Sequence, residues 1–237
     1  MTCIIVPYRI PTGCKTIDRA LEGGISSDNI SLVYGEEETG KTTFALQCAA
    51  NCARQGFKTL FIDCDSTFYA KRLSQIASEG FEKIAEQIIL TRPTDFREQA
   101  MIIDHLPDYV TKTFGLVIVD TITSLYRAEV SESPGKAFEL NRELNRQLAS
   151  LAQFVKIQKI AILMNSQVRT AFKEETVSIE PVAERVLKFW ADAIIWLKPT
   201  ENPQIIKAIL EKSPCKAQPA MCHLRIEELG LREYHIR

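Results

Sequence analysis

The chain has 237 residues, 46% of them hydrophobic, with 29 basic against 30 acidic side chains and a net charge of −1. That is enough apolar content for one α/β domain over residues 1–237, and the balanced charge excludes a surface that embraces nucleic acid all round, leaving any DNA contact to a local patch. No run of about 18 apolar residues would cross a membrane, Met1 to Pro11 lacks a signal-peptide pattern, and seven cysteines without a C-x-x-C pair fit reduced thiols in a cytoplasmic protein rather than disulfides or zinc.

In chain order, Thr12 to Glu22 ends in a short helix closed by Gly23 and Gly24. The apolar strand Ile30–Tyr34 then runs into Gly35-Glu36-Glu37-Glu38-Thr39-Gly40-Lys41-Thr42-Thr43, and Phe44 to Ala53 read as a helix. The spacing G-x-x-x-x-G-K-[ST] between a strand and a helix is that of a phosphate-binding loop, so the segment predicts a nucleoside triphosphate site. Gly35 and Gly40 are expected to adopt dihedrals that a side chain would forbid, and the loop amides to form an anion nest backed by a helix N-terminus. Lys41 would reach the outer phosphates, Thr42 would offer its hydroxyl to Mg²⁺, and Thr43 would cap the helix or touch the inner phosphate. Glu36, Glu37 and Glu38 leave two readings open. They repel a tetra-anionic ligand within the Debye length of roughly 8–10 Å, giving modest ATP affinity or slow turnover, or they point to solvent and cost little.

Cys48 and Cys52, four residues apart among alanines, read as small core fillers, and His105, His223 and His235 are too scattered to suggest a metal. Thr59–Asp63 is a buried strand ending in Cys64-Asp65-Ser66, followed by a helix with Leu73, Ile76 and Ala77 on one face. Ile88–Leu90 is a further strand, and Pro93-Thr94-Asp95 opens a helix to about Thr111. Leu116–Asp120 is an apolar strand ending in a carboxylate at the ligand edge of an open α/β sheet, where Asp120 would hold Mg²⁺ through water opposite Thr42. Pro134–Val155 predicts a long helix with Phe138, Leu144, Leu148, Leu151 and Phe154 facing inward. The strand Ile160–Asn165 ends in Ser166-Gln167-Val168, where Gln167 either bonds the γ-phosphate or its attacking water, as in a switch loop, or satisfies a turn. Arg169 to Glu180 reads as a mobile loop, and strands near Ala193–Leu197, Ile205–Glu211 and Met221–Ile226 as antiparallel edges that finish the sheet.

With these residues placed, the chain resembles the RecA-type recombinase core and, within it, the archaeal RadB subfamily of RadA paralogues, from Thr12 to about Ile226. Beyond the phosphate loop and Asp120, the likeness is carried by Thr94-Asp95-Phe96-Arg97-Glu98-Gln99, Tyr126-Arg127-Ala128-Glu129 and Glu180-Pro181-Val182-Ala183-Glu184-Arg185. The resemblance implies a RecA-like P-loop NTPase fold, with a mostly parallel central sheet, helices on both faces and antiparallel C-terminal strands. It also implies ATP and Mg²⁺ as ligands and an accessory role in homologous recombination and DNA repair, with weak ATPase activity.

By the same likeness, Asp65 takes the position of the base that orients the attacking water, where the family usually has glutamate. A displacement of about 1 Å there can cost on the order of 10²-fold in rate. Arg72 corresponds to a residue that stacks on the adenine, or is a solvated helix arginine. Arg169, Phe172 and Lys173 fall in the second DNA-binding loop, where basic residues meet phosphates and a ring can stack on an unpaired base. Lys212 is what remains of a basic cluster that meets DNA or a neighbour's phosphate, or is a plain surface lysine. RadA-type proteins also carry an N-terminal helical DNA-binding domain and a docking linker, for which this chain has no room, so strand exchange of its own is not expected. The implied partners are single-stranded DNA, bound weakly, the RadA recombinase and a Holliday junction resolvase, with homo-oligomerisation open. A nucleotide-gated binding module without turnover and a KaiC-like signalling ATPase remain as alternatives.

Overall fold

An unbroken apolar run such as Phe114–Asp120 is stable only where both faces of a sheet are covered. The computed structural model of the protein places it at such a position, buried along its whole length. Residues 7–173, 176–181, 183–215 and 220–234 are described, with the backbone alone for 169–173 and 176–181. Val182 and His235 of the sequence reading lie outside them.

The elements follow as β1 (Arg9–Ile10), α1 (Lys15–Ala20), β2 (Ile25–Ser26), β3 (Ile30–Gly35), α2 (Lys41–Arg54), β4 (Lys58–Asp63), α3 (Ala70–Ala77), α4 (Phe81–Ala85), β5 (Ile88–Thr91), α5 (Phe96–Asp104), α6 (Leu106–Tyr109), β6 (Phe114–Asp120) and α7 (Ser124–Glu132). A 3₁₀ turn at Pro134–Lys136 leads to α8 (Ala137–Gln158), β7 (Ala161–Lys173), β8 (Thr176–Pro181), α9 (Glu184–Trp190), β9 (Ala193–Pro199), β10 (Ile205–Lys212), β11 (Ala220–Glu227) and β12 (Gly230–Tyr234). The main sheet runs β12-β11-β10-β9-β3-β7-β6-β4-β5, with β8 paired to β7 and β1 with β2 apart. From β9 across to β5 every pairing is parallel, and β10, β11 and β12 add antiparallel. The α/β fold inferred above is therefore the one observed.

Strand alternation divides the core between the faces. Val33, Phe61 and Ile118 pack with Ile17 of α1, Phe44 and Cys48 of α2, Leu73 of α3 and Ile84 of α4. Leu32, Tyr34, Ile62, Val117 and Val119 pack with Phe96 of α5, Tyr126 of α7, Leu148 and Leu151 of α8 and Leu187 of α9. Burial of each such side chain contributes about 1.5–3 kcal/mol. Cys48 and Cys52 are fully buried in α2, consistent with their reading as small fillers. The start of α5 is fixed locally: Asp95 accepts from Glu98 N–H at 2.7 Å, and Glu98 accepts from Thr94 N–H at 2.7 Å, a reciprocal cap.

Several expectations are corrected. The segment from Arg169 to Glu180 is not a loop: β7 continues to Lys173 and pairs antiparallel with β8, setting Arg169 opposite Glu180 and Phe172 opposite Val177. Its mixed charge and lack of apolar alternation hid the strand from the sequence reading. The strand after Ile160 therefore does not end at Gln167. Within the C-terminal set, β9 is a buried parallel neighbour of β3 rather than an antiparallel edge, and β12 is a strand with no strong apolar signature. Phe138 is 79% exposed instead of inward, because the helix starts only at Ala137, after the 3₁₀ turn. The helix expected to reach Thr111 is broken at His105, ahead of Pro107, into α5 and α6.

Candidate nucleotide-binding site

Parallel register brings the chemistry to one edge. Gly35 is level with Gln167 on one side and Leu197 on the other, and Asp63 is level with Asp120, so the C-terminal ends of β3, β6 and β4 line up with Gln167 of β7 where open α/β sheets bind ligands.

The two loop glycines act for different reasons. Gly40, with φ 81°, is in the left-handed region and opens α2 as expected. Gly35 is required by space instead: a Cβ there would lie 2.2 Å from the Leu197 carbonyl oxygen and 2.8 Å from Thr39 Oγ1. Thr39 is buried and donates to Glu36 O at 2.8 Å, drawing the loop tight. Lys41 is buried, and its Nζ donates to Gly35 O at 2.9 Å and Glu36 O at 2.6 Å. Burial lowers its pKa, and the charges of Asp120, Glu37, Asp65 and Glu36 oppose that shift. Two of the three loop glutamates thus help to keep Lys41 protonated, a role the sequence reading did not give them. Glu38, Gly40, Lys41, Thr42 and Thr43 line a cavity of about 250 Å³ whose further wall is Ile226 of β11.

Asp120 is completely buried. One carboxylate oxygen, Oδ1, accepts from Asn165 Nδ2 at 2.9 Å; the other, Oδ2, has no partner in hydrogen-bond geometry among the described residues, although the Thr42 hydroxyl is near enough to act on the carboxyl. Burial raises the pKa of this carboxyl to about 6, with Asn165 and Thr42 lowering it and Asp65 and Asp63 adding to the rise. The peptide between Asp120 and Thr121 is cis. A buried carboxylate oxygen that lacks a donor, with a threonine hydroxyl beside it, fits a hard cation that takes oxygen ligands, so the donor set suits Mg²⁺.

Asp65 is half-buried, and its Oδ2 accepts from Thr121 Oγ1 at 3.0 Å and from Gln167 Nε2 at 3.5 Å. Gln167 Oε1 in turn accepts from Arg127 Nη1. The neighbouring Asp63 is committed elsewhere, accepting from Thr67 N–H, Phe68 N–H and Arg92 Nε. Arg72 meets the loop helix through Thr43 Oγ1 at 3.3 Å, while its guanidinium donates to Glu227 O at 2.7 Å and Glu228 O at 2.9 Å in the β11–β12 turn.

Lys41, Thr42, Thr43, Asp120, Asp65, Gln167 and Arg72 thus converge. Lys212 does not. It is level with Ile194 on β9, three residues from Leu197 and so roughly 10 Å down the sheet at about 3.3 Å per residue. Its ammonium donates to Ala191 O and Lys188 O, capping the C-terminus of α9, where a cation is favoured. The side chains of Arg169, Phe172 and Lys173 lie outside the described residues. Reasoning from sequence missed Arg127, Thr121 and Asn165. Asn165 follows the residue that pairs with Val119, a signal readable only once β6 and β7 are known to be neighbours.

Comparison with known proteins agrees with this arrangement. The Rad51 family model matches residues 5–234. The chain is 34% identical over 227 residues to a DNA repair and recombination protein RadB of Thermococcus kodakarensis, covering 94% of this chain and 99% of the relative. It is 30% identical over 224 residues to a RadB of Methanosphaera stadtmanae, covering 94% of each. A crystal structure of the RadB recombinase superposes with a TM-score of 0.79 at 32% identity, covering 95% of this chain and all of that one. The chain belongs to the Rad51 family and, within it, to the RadB group of DNA repair and recombination proteins.

Proposed function

We propose that this RadB-group protein binds ATP with Mg²⁺ at the described edge, hydrolyses it slowly, and works in the cytoplasm as a single-domain accessory to the RadA recombinase. The observation that carries the nucleotide reading is the fully buried Asp120, whose Oδ2 has no hydrogen-bond partner among the described residues, facing a loop that ends in Lys41 and Thr42. An uncompensated buried carboxylate oxygen costs about 1–3 kcal/mol or more, a cost that a bound cation would remove. Thr42 and Asp120 would hold Mg²⁺, which when bound neutralises charge on the outer phosphates. Lys41 would leave the carbonyls of Gly35 and Glu36 for the phosphates. Asp65, oriented by Thr121 and Gln167, would accept a proton from the attacking water, and Gln167 would sense the γ-phosphate. Contact with single-stranded DNA is assigned to the β7–β8 hairpin through Arg169, Phe172 and Lys173, and a junction resolvase is a further candidate partner.

Lys41→Ala tests the reading, because it removes the one buried cation of the loop. Binding of a fluorescent ATP analogue and phosphate release, each with and without single-stranded DNA, should both fall to background in this variant. Retention of wild-type affinity and turnover would refute the nucleotide site.

A further inference from the structure

Away from the nucleotide edge, three ligand-bearing side chains from distant parts of the chain meet. Cys14, buried at the entry to α1, has its Sγ 3.2 Å from Sγ of Cys222 on β11. The same Sγ lies 3.4 Å from Oε1 of Glu233 on β12. One ligand atom from each residue, taken together, lies within 4.8 Å of the other two. The carboxylate is oriented by the chain itself, since Thr16 N–H in the first turn of α1 donates to Oε1 at 2.5 Å. We propose that Cys14, Cys222 and Glu233 form a binding site for a thiophilic divalent cation of the zinc class.

The donor set selects the ion. Two sulfurs and one carboxylate suit a borderline-soft cation, whereas Mg²⁺ and Ca²⁺ take oxygen. Three protein ligands leave the fourth tetrahedral position to water. With metal–sulfur bonds of about 2.3 Å, tetrahedral geometry sets the sulfurs roughly 3.7 Å apart, so the pair would open by about half an ångström. Binding displaces the two thiol protons to solvent and leaves two thiolates and the carboxylate on the cation. In the metal-free cluster the Cys14 thiol is held protonated, first by its hydrogen bond with Cys222 and then by burial, with the Glu233 carboxylate adding to the effect. A dication reverses that repulsion. The same burial slows disulfide formation, which needs a thiolate, and a disulfide would leave the oriented carboxylate with no part in the chemistry.

The position gives the site a consequence. Cys222 and Glu233 sit on the β11–β12 hairpin, whose turn holds Arg72 and whose Ile226 walls the cavity beside Gly40. A cation bridging Cys14 to both strands would fix that hairpin against the entry to α1.

The test uses the full chain, reduced, stripped with a chelator and free of nucleotide. It is titrated with Zn²⁺ against a chromophoric chelator and separately with Co²⁺. The expected result is one Zn²⁺ per chain, release of two protons, a Co²⁺–thiolate charge-transfer band and a higher Tm. Cys222→Ser, at a half-buried position, should keep the metal-free circular dichroism spectrum, weaken the charge-transfer band by about half at saturation and bind Zn²⁺ at least tenfold more weakly. Glu233→Gln should weaken binding while keeping the band, and decides the matter if the serine variant does not fold. Cys215→Ser should bind as wild type. No stoichiometric uptake by the reduced chain, or equal affinity in folded Cys222→Ser and Glu233→Gln, would overturn the site, as would conversion to a Cys14–Cys222 disulfide with a low-molecular-weight disulfide in the presence of Zn²⁺.

Discussion

Burial sets the proton affinity of Asp120, and that makes stability depend on pH in a stated direction. A carboxyl whose pKa is raised from 3.8 to about 6 by folding holds its proton longer when folded than when unfolded. Stability is therefore lost as pH rises through the window from about 4 to 6 and stays reduced above it, by up to about 3 kcal/mol. Asp120→Asn keeps the acceptor for Asn165 and removes this cost. Thermal melts of the nucleotide-free variant should exceed wild type by several degrees at pH 7.5 and converge with it below pH 4; the gain from added Mg²⁺ and ATP should vanish. A lower Tm at pH 7.5 would show that the ionised carboxylate is compensated after all. The neighbouring Asp65 gives a second prediction. One more methylene extends its reach past Thr121 and Gln167, so Asp65→Glu should raise phosphate release, by as much as 10²-fold if distance alone limits it. A flat or lower rate in steady-state assays would remove Asp65 as the water-orienting group.

At the scale of elements, the phosphate loop was legible because its determinants are local: an apolar strand, a fixed spacing and a helix. What the loop demands of Gly35 was not, since the constraint comes from Leu197 on β9, far along the chain. Gly35→Ala must push two paired strands apart, and overpacking of this kind costs typically 1–3 kcal/mol. It should lower Tm and abolish ATP binding together, whereas Gly135→Ala, with nothing within 4 Å of the added carbon, should change neither. Equal melting of the Gly35 variant and wild type would mean that β3 and β9 tolerate separation. The hairpin of β7 and β8 escaped reading because its mixed-charge sequence carries no period-2 apolar signal, and α9 because seven residues span barely two turns.

For the whole molecule, the balanced charge allows only a small electrostatic contribution to DNA binding. Two phosphate contacts from Arg169 and Lys173 give a salt slope of only about −1.4 for single strands, and stacking by Phe172 adds about 1–3 kcal/mol. Titration of fluorescent oligonucleotides should therefore show weak binding with shallow salt dependence, lost in the Arg169, Phe172 and Lys173 triple alanine variant. Superimposable curves for the two proteins would take the hairpin out of the DNA site. Lys212 is not the substitute, since its ammonium is spent on the carbonyls that end α9.

From the sequence alone came the α/β class, the phosphate loop, the carboxylate ending β6 and the family likeness, because each rests on residues within one short window or on strings that survive intact. Tertiary structure decided the rest. It chose β9 as a neighbour of β3, which created the need for glycine at position 35, and β7 as a neighbour of β6, which set Asn165 beside Asp120. It linked Asp65, Gln167 and Arg127 across three elements, and it brought Cys14 to Cys222 and Glu233 across more than two hundred residues. Such contacts follow from strand order, which is fixed by how the whole apolar surface is buried and which no local pattern encodes.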